Sequence, residues 1–128
     1  MAAYCPKRGD IVWLSFTPQA GHEQAGHRPA LVLSPESYNR KVGLALFCPI
    51  TSQDKGYPFE VRIPQGYEVS GVVLADQVKS LDWKARRATF CCELPAGAVH
   101  DVLNKLGTLT DEPVSSRKYT RSILDIVL

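Results

Sequence analysis

The apolar residues of this 128-residue chain arrive in short runs separated by Gly, Pro, Ser and Asn. Such runs are typical of β-strands, because a few residues suffice to cross a sheet and turns favour these separating residue types. Six strands are predicted on this pattern: Ile11–Phe16, Ala30–Leu33, Leu44–Ile50, Phe59–Ile63, Gly71–Ser80 and Arg87–Cys92. The chain is therefore predicted to be mainly β.

One long stretch, Pro95–Leu109, carries helical spacing instead. Its apolar residues recur at intervals of three and four and form a single stripe: Val99, Val102, Leu103, Leu106 and Leu109. A shorter helical turn is predicted from Ser34 to Asn39, with Pro35 at the first helical position. Several strands closing on one packed helix predict an α+β fold built as a small, partly open β-barrel.

Length and composition predict one ordinary globular domain, with 45% hydrophobic and 22% charged residues. The domain is predicted to span residues 1–110, because the sequence Asp111–Pro113 breaks the helix. Residues 111–128 form an extension with an apolar end, Ile123–Leu128. Three alternatives stay open for that end: it packs as an extra strand or helix, it joins an interface, or it stays mobile.

The sequence also bounds the location and the partners of the protein. No apolar run approaches the roughly 20 residues that span a bilayer, and the first residues lack an apolar signal core. We therefore expect a cytoplasmic protein with no membrane partner. A net charge of +2 neither demands nor excludes a nucleic-acid partner, since the distribution of charge matters more than its total.

The four cysteines are predicted to be reduced thiols with structural roles: Cys5, Cys48, Cys91 and Cys92. No CxxC spacing occurs, and adjacent Cys91 and Cys92 in a regular strand would point to opposite faces. We therefore expect no metal site and no cofactor.

The block Gly21–Pro29, GHEQAGHRP, lies between the first two predicted strands. It gathers a carboxylate, two imidazoles, a carboxamide and a guanidinium around two glycines. It resembles the metalloprotease motif HExxH, but His22 and His27 are five residues apart with Gly26 between them. The block is predicted to be a ligand-binding loop without metal, and the alternative is a solvated hairpin loop.

The chemistry that remains is a metal-free set suited to a phosphodiester. Glu23 or a histidine can accept a proton, and Arg28 presents a planar fork of donors that fits phosphate oxygens. Thr51 and Ser52 add hydroxyls, whose alternative role is strand-end hydrogen bonding. RNA supplies its own nucleophile, the 2′-OH, so such a set can cleave it without a metal-bound water.

Four blocks of the chain carry a family resemblance and keep their order and spacing across about residues 6–109. They are RGDIVWLSF at Arg8–Phe16, EQAGHRPALVLSP at Glu23–Pro35, CPITSQDKGYPFEV at Cys48–Val61 and GVVLADQVKSLDWKAR at Gly71–Arg86. The chain resembles the MazF/PemK-type toxins of bacterial toxin–antitoxin pairs, and is most similar to the MazF branch.

The resemblance implies a sequence-specific, metal-independent endoribonuclease that cuts single-stranded RNA, often mRNA. The expected products carry a 2′,3′-cyclic phosphate and a 5′-hydroxyl. The resemblance further implies an SH3-like barrel with a terminal helix, a homodimer, and a cognate MazE-like antitoxin whose tail covers the active groove.

The resemblance implies Arg28 and Thr51 as paired catalytic residues, with Glu23 as a third position linked to activity. The proton acceptor stays open among Glu23, His27 and Arg28. A second set is predicted to contact RNA through amides, hydroxyls and cations: Gln24, His27, Ser52, Gln53, Lys55, Gln77, Lys79 and Arg86. Tyr57 and Phe59 are candidates for base stacking, whereas Trp13 is expected in the core or at a dimer interface.

Two other functions compete with the nuclease. A non-catalytic SH3-like binding module would dock a peptide or nucleic acid, and a related barrel is found in toxins that poison a topoisomerase. The chain also departs from the family pattern. It extends beyond the terminal helix, and His22 stands where relatives often carry a small hydroxyl residue.

Overall fold

The computed structural model describes residues 3–15 and 27–111. Seven strands and two helices follow one another in this part of the chain: β1 (Asp10–Ser15), β2 (His27–Val32), α1 (Glu36–Val42), β3 (Leu44–Thr51), β4 (Glu60–Arg62), β5 (Val72–Leu74), β6 (Lys79–Asp82), β7 (Thr89–Glu93) and α2 (Ala96–Thr110). Neither of these two helices combines the length and the apolar character that a bilayer crossing demands.

The strands form one antiparallel sheet in the order β4-β5-β3-β2-β1-β7, with β6 beside the first half of β3. Among the described residues β4 and β7 do not pair with each other, so the barrel is open between them. Helix α2 packs against β4 and buries Val99 and Val102 in the main core. The predicted mainly β fold, a partly open barrel with a C-terminal helix, is confirmed.

The strand predicted at Gly71–Ser80 is wrong as a single element, because the structure divides it into β5 and β6. Val73 of β5 faces Ile50 near the end of β3, whereas Lys79 of β6 faces Phe47 earlier in β3. A turn follows β5, with the Gln77 N–H bonded to the Leu74 carbonyl at 3.1 Å. The apolar pattern of a segment indicates which residues are half-buried in a sheet. It does not indicate which part of the partner strand each residue pairs with.

Strand β2 begins earlier than predicted and takes in the last residues of the predicted loop, His27 to Pro29. Pro29 faces Trp13 of β1, while the pairing with β3 begins only at Ala30. Within the part of the chain that the structure describes, the first part of β2 is therefore bonded on one side only. Proline is tolerated there because its missing N–H costs no ladder hydrogen bond on the open side.

Helix α1 runs to Val42, beyond the predicted end at Asn39, and Pro35 precedes its first helical residue. Ser34 does not cap this helix. Its hydroxyl donates to the Asn39 Oδ1 at 2.6 Å and accepts from the Leu46 N–H at 2.8 Å. The serine therefore joins α1 to β3.

Asn39 is fully buried and satisfies several polar groups around it. Its Nδ2 donates to the carbonyls of Pro6 at 2.8 Å and Ser34 at 3.0 Å. The indole N–H of Trp83 donates to the Asn39 carbonyl at 3.0 Å. Because Trp83 is itself buried and bonded in this way, it is a core residue.

We expect Asn39→Ala to lower the free energy of unfolding by about 3 kcal/mol, because it leaves a cavity and several buried polar groups without partners. Asn104→Ala is the matched control, since Asn104 is an exposed residue of α2. Urea unfolding of the two variants measures the difference. Equal losses of stability in the two variants would contradict the role given to Asn39.

A β-bulge changes the prediction made for the adjacent cysteines. Ile11 of β1 faces Cys92, but the next residue, Val12, faces Phe90, so Cys91 is the extra residue of β7. The two sulfur atoms lie 3.6 Å apart; Cys92 belongs to the main core and Cys91 packs against it. The expectation that they point to opposite faces is wrong, because that expectation assumes a regular strand.

Candidate active site

The start of β2 and the end of β3 lie close together because the two strands are antiparallel neighbours. A cleft of about 420 Å³ opens there, and both Arg28 and Thr51 line it. Its remaining residues come from β1, from the same strand ends and from the β4–β5 loop: Trp13, His27, Pro29, Ile50, Ser52, Gln53, Glu68, Val69 and Ser70. The fold therefore brings together the predicted arginine and threonine, with Arg28 exposed and Thr51 half-buried.

Thr51 is held through both its backbone and its side chain. It pairs with Val72 of β5, and its Oγ1 accepts a hydrogen bond from the Gln53 N–H at 3.1 Å. The bond from Gln53 is the strand-end hydrogen bonding that the sequence offered as an alternative role for Thr51. The Thr51 hydroxyl can still donate its own proton, since a hydroxyl carries one donor and two acceptor lone pairs.

Gly71 allows the β4–β5 loop to approach the end of β3. Its φ of 117° is a conformation that residues with side chains rarely adopt. A Cβ at this position would lie 2.1 Å from the Thr51 carbonyl oxygen and 2.9 Å from the Ser52 Cα. No side-chain rotation relieves such an overlap with backbone, so both conformation and space require glycine here.

Trp13 forms part of the cleft and also packs against the core. Its ring is stacked on His27, with ring centroids 6.3 Å apart and planes 9° apart. The two nearly parallel rings line the cleft beside Arg28. Trp13 thus has the predicted core contact and, in addition, a place in the site.

A second cleft of about 370 Å³ adjoins the first, and Thr51 and Gln53 line both. Its other residues come from the loop after β3 and from the neighbouring strands: Lys55, Tyr57, Glu60, Leu74 and Gln77. The predicted residues Gln53, Lys55 and Gln77 therefore lie along one continuous surface that begins at Thr51.

The loop in this second cleft is held by the carboxylate of Glu60. This carboxylate accepts hydrogen bonds from the backbone N–H groups of Lys55 at 3.2 Å, Gly56 at 3.0 Å and Tyr57 at 3.2 Å. Three bonds to one side chain fix the backbone from which Lys55 extends. The ammonium group of Lys55 is thereby positioned near the cleft through its backbone.

Tyr57 presents its ring at the second cleft and is 46% exposed. Its hydroxyl donates to the Asp76 carboxylate at 2.7 Å, and that hydrogen bond raises the pKa of Tyr57. The ring centroid of Phe59 lies 5.8 Å from that of Tyr57, and Phe59 packs against the core. Tyr57 is therefore the more accessible of the two residues predicted to stack on bases.

Other predicted residues lie elsewhere. Lys79 and Arg86 line neither cleft. The Arg86 guanidinium donates to the Ser15 carbonyl at 3.0 Å, and the Ser15 N–H donates to the Arg86 carbonyl at 3.1 Å. RNA contact by Lys79 and Arg86 stays a prediction. Glu23 and Gln24 lie outside the described residues.

The β4–β5 loop places Glu68, Val69 and Ser70 in the first cleft, and none of these residues is predicted there from the sequence. The available signal was a carboxylate and a hydroxyl just before Gly71, between two predicted strands. The same loop brings a carboxylate oxygen of Glu68 within 4.8 Å of the sulfur atoms of Cys91 and Cys92. Burial is the main cause that raises the pKa of Cys92 to about 12, and its neighbours Cys91 and Glu68 add to it.

Comparison with known proteins places this geometry in a family. The sequence model of the family of PemK-like, MazF-like toxins of type II toxin–antitoxin systems matches residues 7–110. The endoribonuclease toxin MazF of Escherichia coli K12 is 57% identical over 89 residues, which cover 70% of this chain and 79% of the relative. The endoribonuclease PemK of Escherichia coli is 36% identical over 107 residues, 80% of each chain.

Solved structures agree with the sequence relatives. A crystal structure of MazF from Deinococcus radiodurans is 58% identical, with a TM-score of 0.77 over 84% of this chain and 98% of that one. A MazE–MazF crystal structure from the same organism is 51% identical, with a TM-score of 0.77 over 85% of this chain and 98% of that one. The chain therefore belongs to the PemK-like, MazF-like toxins of type II toxin–antitoxin systems.

Proposed function

We propose that this toxin is a sequence-specific, metal-independent endoribonuclease that cleaves single-stranded RNA, including mRNA. The observation that carries the proposal is the cleft in which Arg28 and Thr51 meet. A guanidinium and a hydroxyl that face one cleft are a pair of donors for a phosphate whose negative charge grows during the reaction. The relatives named as endoribonucleases support the same activity.

In the proposed reaction the 2′-OH of the RNA attacks the adjacent phosphorus atom. A base removes the 2′-OH proton, the bond from phosphorus to the 5′-oxygen breaks, and that oxygen leaves as a 5′-hydroxyl after it gains a proton. The other product is a 2′,3′-cyclic phosphate. Arg28 binds the phosphate and stabilises the transition state, since a guanidinium stays charged at neutral pH. Thr51 donates to a non-bridging oxygen.

Glu23 is the proposed base for the 2′-OH, and His27 is the next candidate. A carboxylate is the stronger candidate because it is ionised at neutral pH, and Glu23 stands four residues before the start of β2 in the sequence. His27 lies in the cleft beside Arg28, with its ring nearly parallel to that of Trp13. Glu23 precedes β2 in the sequence, and His27 is the first residue of that strand.

The second cleft is the proposed path of the RNA beyond the scissile phosphate. Gln53 and Gln77 present amides that can read base edges, and Lys55 presents a cation for a phosphate. Tyr57 offers an exposed ring on which a base can stack. Readout of this kind suits single-stranded RNA, whose bases are free to leave the stack.

Incubation of the purified full chain with single-stranded RNA in excess chelator tests the proposal. Discrete cleavage with 2′,3′-cyclic phosphate and 5′-hydroxyl ends is expected. Binding without cleavage would favour a non-catalytic SH3-like module instead. Intact RNA together with trapped topoisomerase–DNA complexes would favour the topoisomerase-targeting alternative.

The cognate partner is proposed to be a MazE-like antitoxin, as in the MazE–MazF structures that resemble this chain. An acidic, partly disordered antitoxin segment suits the segment Gly21–Pro29 and the basic residues between Lys79 and Arg87. The toxin itself is proposed to act as a homodimer, the commonest symmetric assembly.

A saturating antitoxin tail should suppress RNA cleavage, because it would occupy the cleft that contains Arg28. Cleavage assays with increasing peptide measure the effect, and full activity in the saturated complex would rule out occlusion of the cleft.

Light scattering at micromolar concentration should give twice the mass of one chain. A mass equal to one chain would contradict the homodimer.

Gly71→Ala should destabilise the fold by about 3 kcal/mol and lower the cleavage rate at least tenfold, because the new Cβ displaces Thr51. Gly66→Ala is the matched control. Gly66 has a φ of 98° in the same loop, but a Cβ there meets nothing within 4 Å. Thermal unfolding and cleavage assays of both variants separate backbone strain from displacement of the site. Equal activity in the two variants would contradict the role of Gly71.

A further inference from the structure

Two thiols and one carboxylate meet beside the active-site cleft. The sulfur atoms of Cys91 and Cys92 are 3.6 Å apart. An oxygen of Glu68 and both sulfurs all lie within 4.8 Å of one another. We propose that Glu68, Cys91 and Cys92 form a binding site for a divalent cation of the zinc class. The inference concerns metal binding and does not depend on the proposed nuclease activity.

The distances suit a tetrahedral ion. Two thiolates on one zinc ion, each at about 2.3 Å, lie about 3.8 Å apart, close to the separation of the two sulfurs. The carboxylate of Glu68 supplies a third ligand atom and leaves the fourth position to water. Zinc sites with three protein ligands and an open position are an established type.

The bulge in β7 creates this arrangement. In a regular strand the side chains of Cys91 and Cys92 would lie on opposite faces of the sheet. The extra residue removes that alternation and brings the two sulfurs together against the core. The absence of CxxC spacing therefore does not exclude a metal site, because the bulge replaces the loop that usually brings two cysteines together.

A metal ion suits this pair better than a disulfide does. Adjacent residues have Cα atoms about 3.8 Å apart, whereas disulfides usually join Cα atoms about 4.4 to 6.8 Å apart. A disulfide between Cys91 and Cys92 would therefore be strained. Metal binding needs no bond between the sulfurs, and the two thiol protons pass to solvent as the ion binds.

The ligand set also predicts which metals bind. Thiolates select zinc and softer ions, whereas magnesium and calcium prefer sites made entirely of oxygen atoms. Cys92 is buried, Cys91 is half-buried and Glu68 is exposed, so an ion would approach from the side of Glu68. A bound ion would join the β4–β5 loop to β7 and so raise the melting temperature, since it binds the folded state.

Titration of the full chain with zinc in a calorimeter tests the site, with cobalt as a spectroscopic probe. We expect one ion per chain and a thiolate-to-cobalt charge-transfer absorption. Cys91→Ser should lower that absorption, because at most one thiolate remains on the ion, and Cys91→Ser and Glu68→Gln should each weaken zinc binding at least tenfold. Glu93→Gln and Cys5→Ser are the matched controls, since Glu93 is an exposed carboxylate of the same strand and Cys5 is another free cysteine. Both should bind zinc as the unaltered protein does.

A measurement on the unaltered protein covers the case in which a variant fails to fold. One equivalent of zinc should slow alkylation of Cys91 at least tenfold, as followed by mass spectrometry, and should raise the melting temperature. Unchanged alkylation, a missing charge-transfer absorption, or equal zinc binding in Cys91→Ser and the unaltered protein would each overturn the proposal.

Discussion

A single 2′-deoxy substitution in the nucleotide 5′ of the scissile phosphate should abolish cleavage at that bond. The proposed nucleophile is the 2′-OH of that nucleotide, so its removal leaves nothing to attack the phosphorus atom. Protein groups that bind the phosphate, such as Arg28, would still be present. The measurement is the rate of cleavage of the deoxy-substituted RNA relative to the all-ribose RNA, resolved to single nucleotides in excess chelator.

A deoxy substitution two nucleotides further from the scissile bond is the matched control, because it changes the RNA without removing the nucleophile. That RNA should be cleaved at a rate close to the all-ribose rate. Cleavage of the first substrate at the original bond would overturn the mechanism, since it would require an external nucleophile. Tight binding of the deoxy substrate is expected, because the phosphate contacts remain.

Arg28→Ala and Thr51→Val should each lower the cleavage rate by about a hundredfold or more, the scale expected for loss of one transition-state donor. The fold should survive, because Arg28 is exposed and Thr51 is half-buried at the end of a strand. Single-turnover cleavage measures the chemical step, and circular dichroism confirms the fold.

Two controls sharpen this prediction. Thr51→Ser keeps the hydroxyl and should retain most of the activity, which separates the donor from the shape of the side chain. Arg40→Ala removes an exposed arginine that pairs with Glu36 on α1, away from both clefts. It should leave cleavage unchanged. A loss in Arg40→Ala as large as that in Arg28→Ala would show an effect of net charge, and would contradict a specific role for Arg28.

Most of the elements were predictable because their signals are local. The stripe that includes Val99 and Val102 predicted α2 to within one residue at each end, since helical period is a property of neighbouring residues. The strand at Leu44–Thr51 was likewise predicted apart from its last residue. The prediction failed where a strand changes partner, as between β5 and β6, since pairing depends on residues distant in sequence.

The candidate site was likewise predicted only in part. Arg28 and Thr51 were identified from motifs, and Gln53, Lys55 and Gln77 were placed in the same set by residue type. Glu68 was missed, because a single carboxylate in a short loop resembles many solvated loops. Only the close approach of Gly71 to Thr51 shows that this loop forms part of the cleft.

The mainly β architecture and the terminal helix could be predicted from the sequence, because the period of apolar residues is a local property. The resemblance of four sequence blocks to a known family implied a toxin and its candidate phosphate-binding residues. The placement of Arg28 and Thr51 in one cleft depends on the tertiary structure, because antiparallel pairing brings the start of β2 next to the end of β3. The side-by-side placement of Cys91 and Cys92 also depends on it, because the bulge in β7 depends on the register with β1.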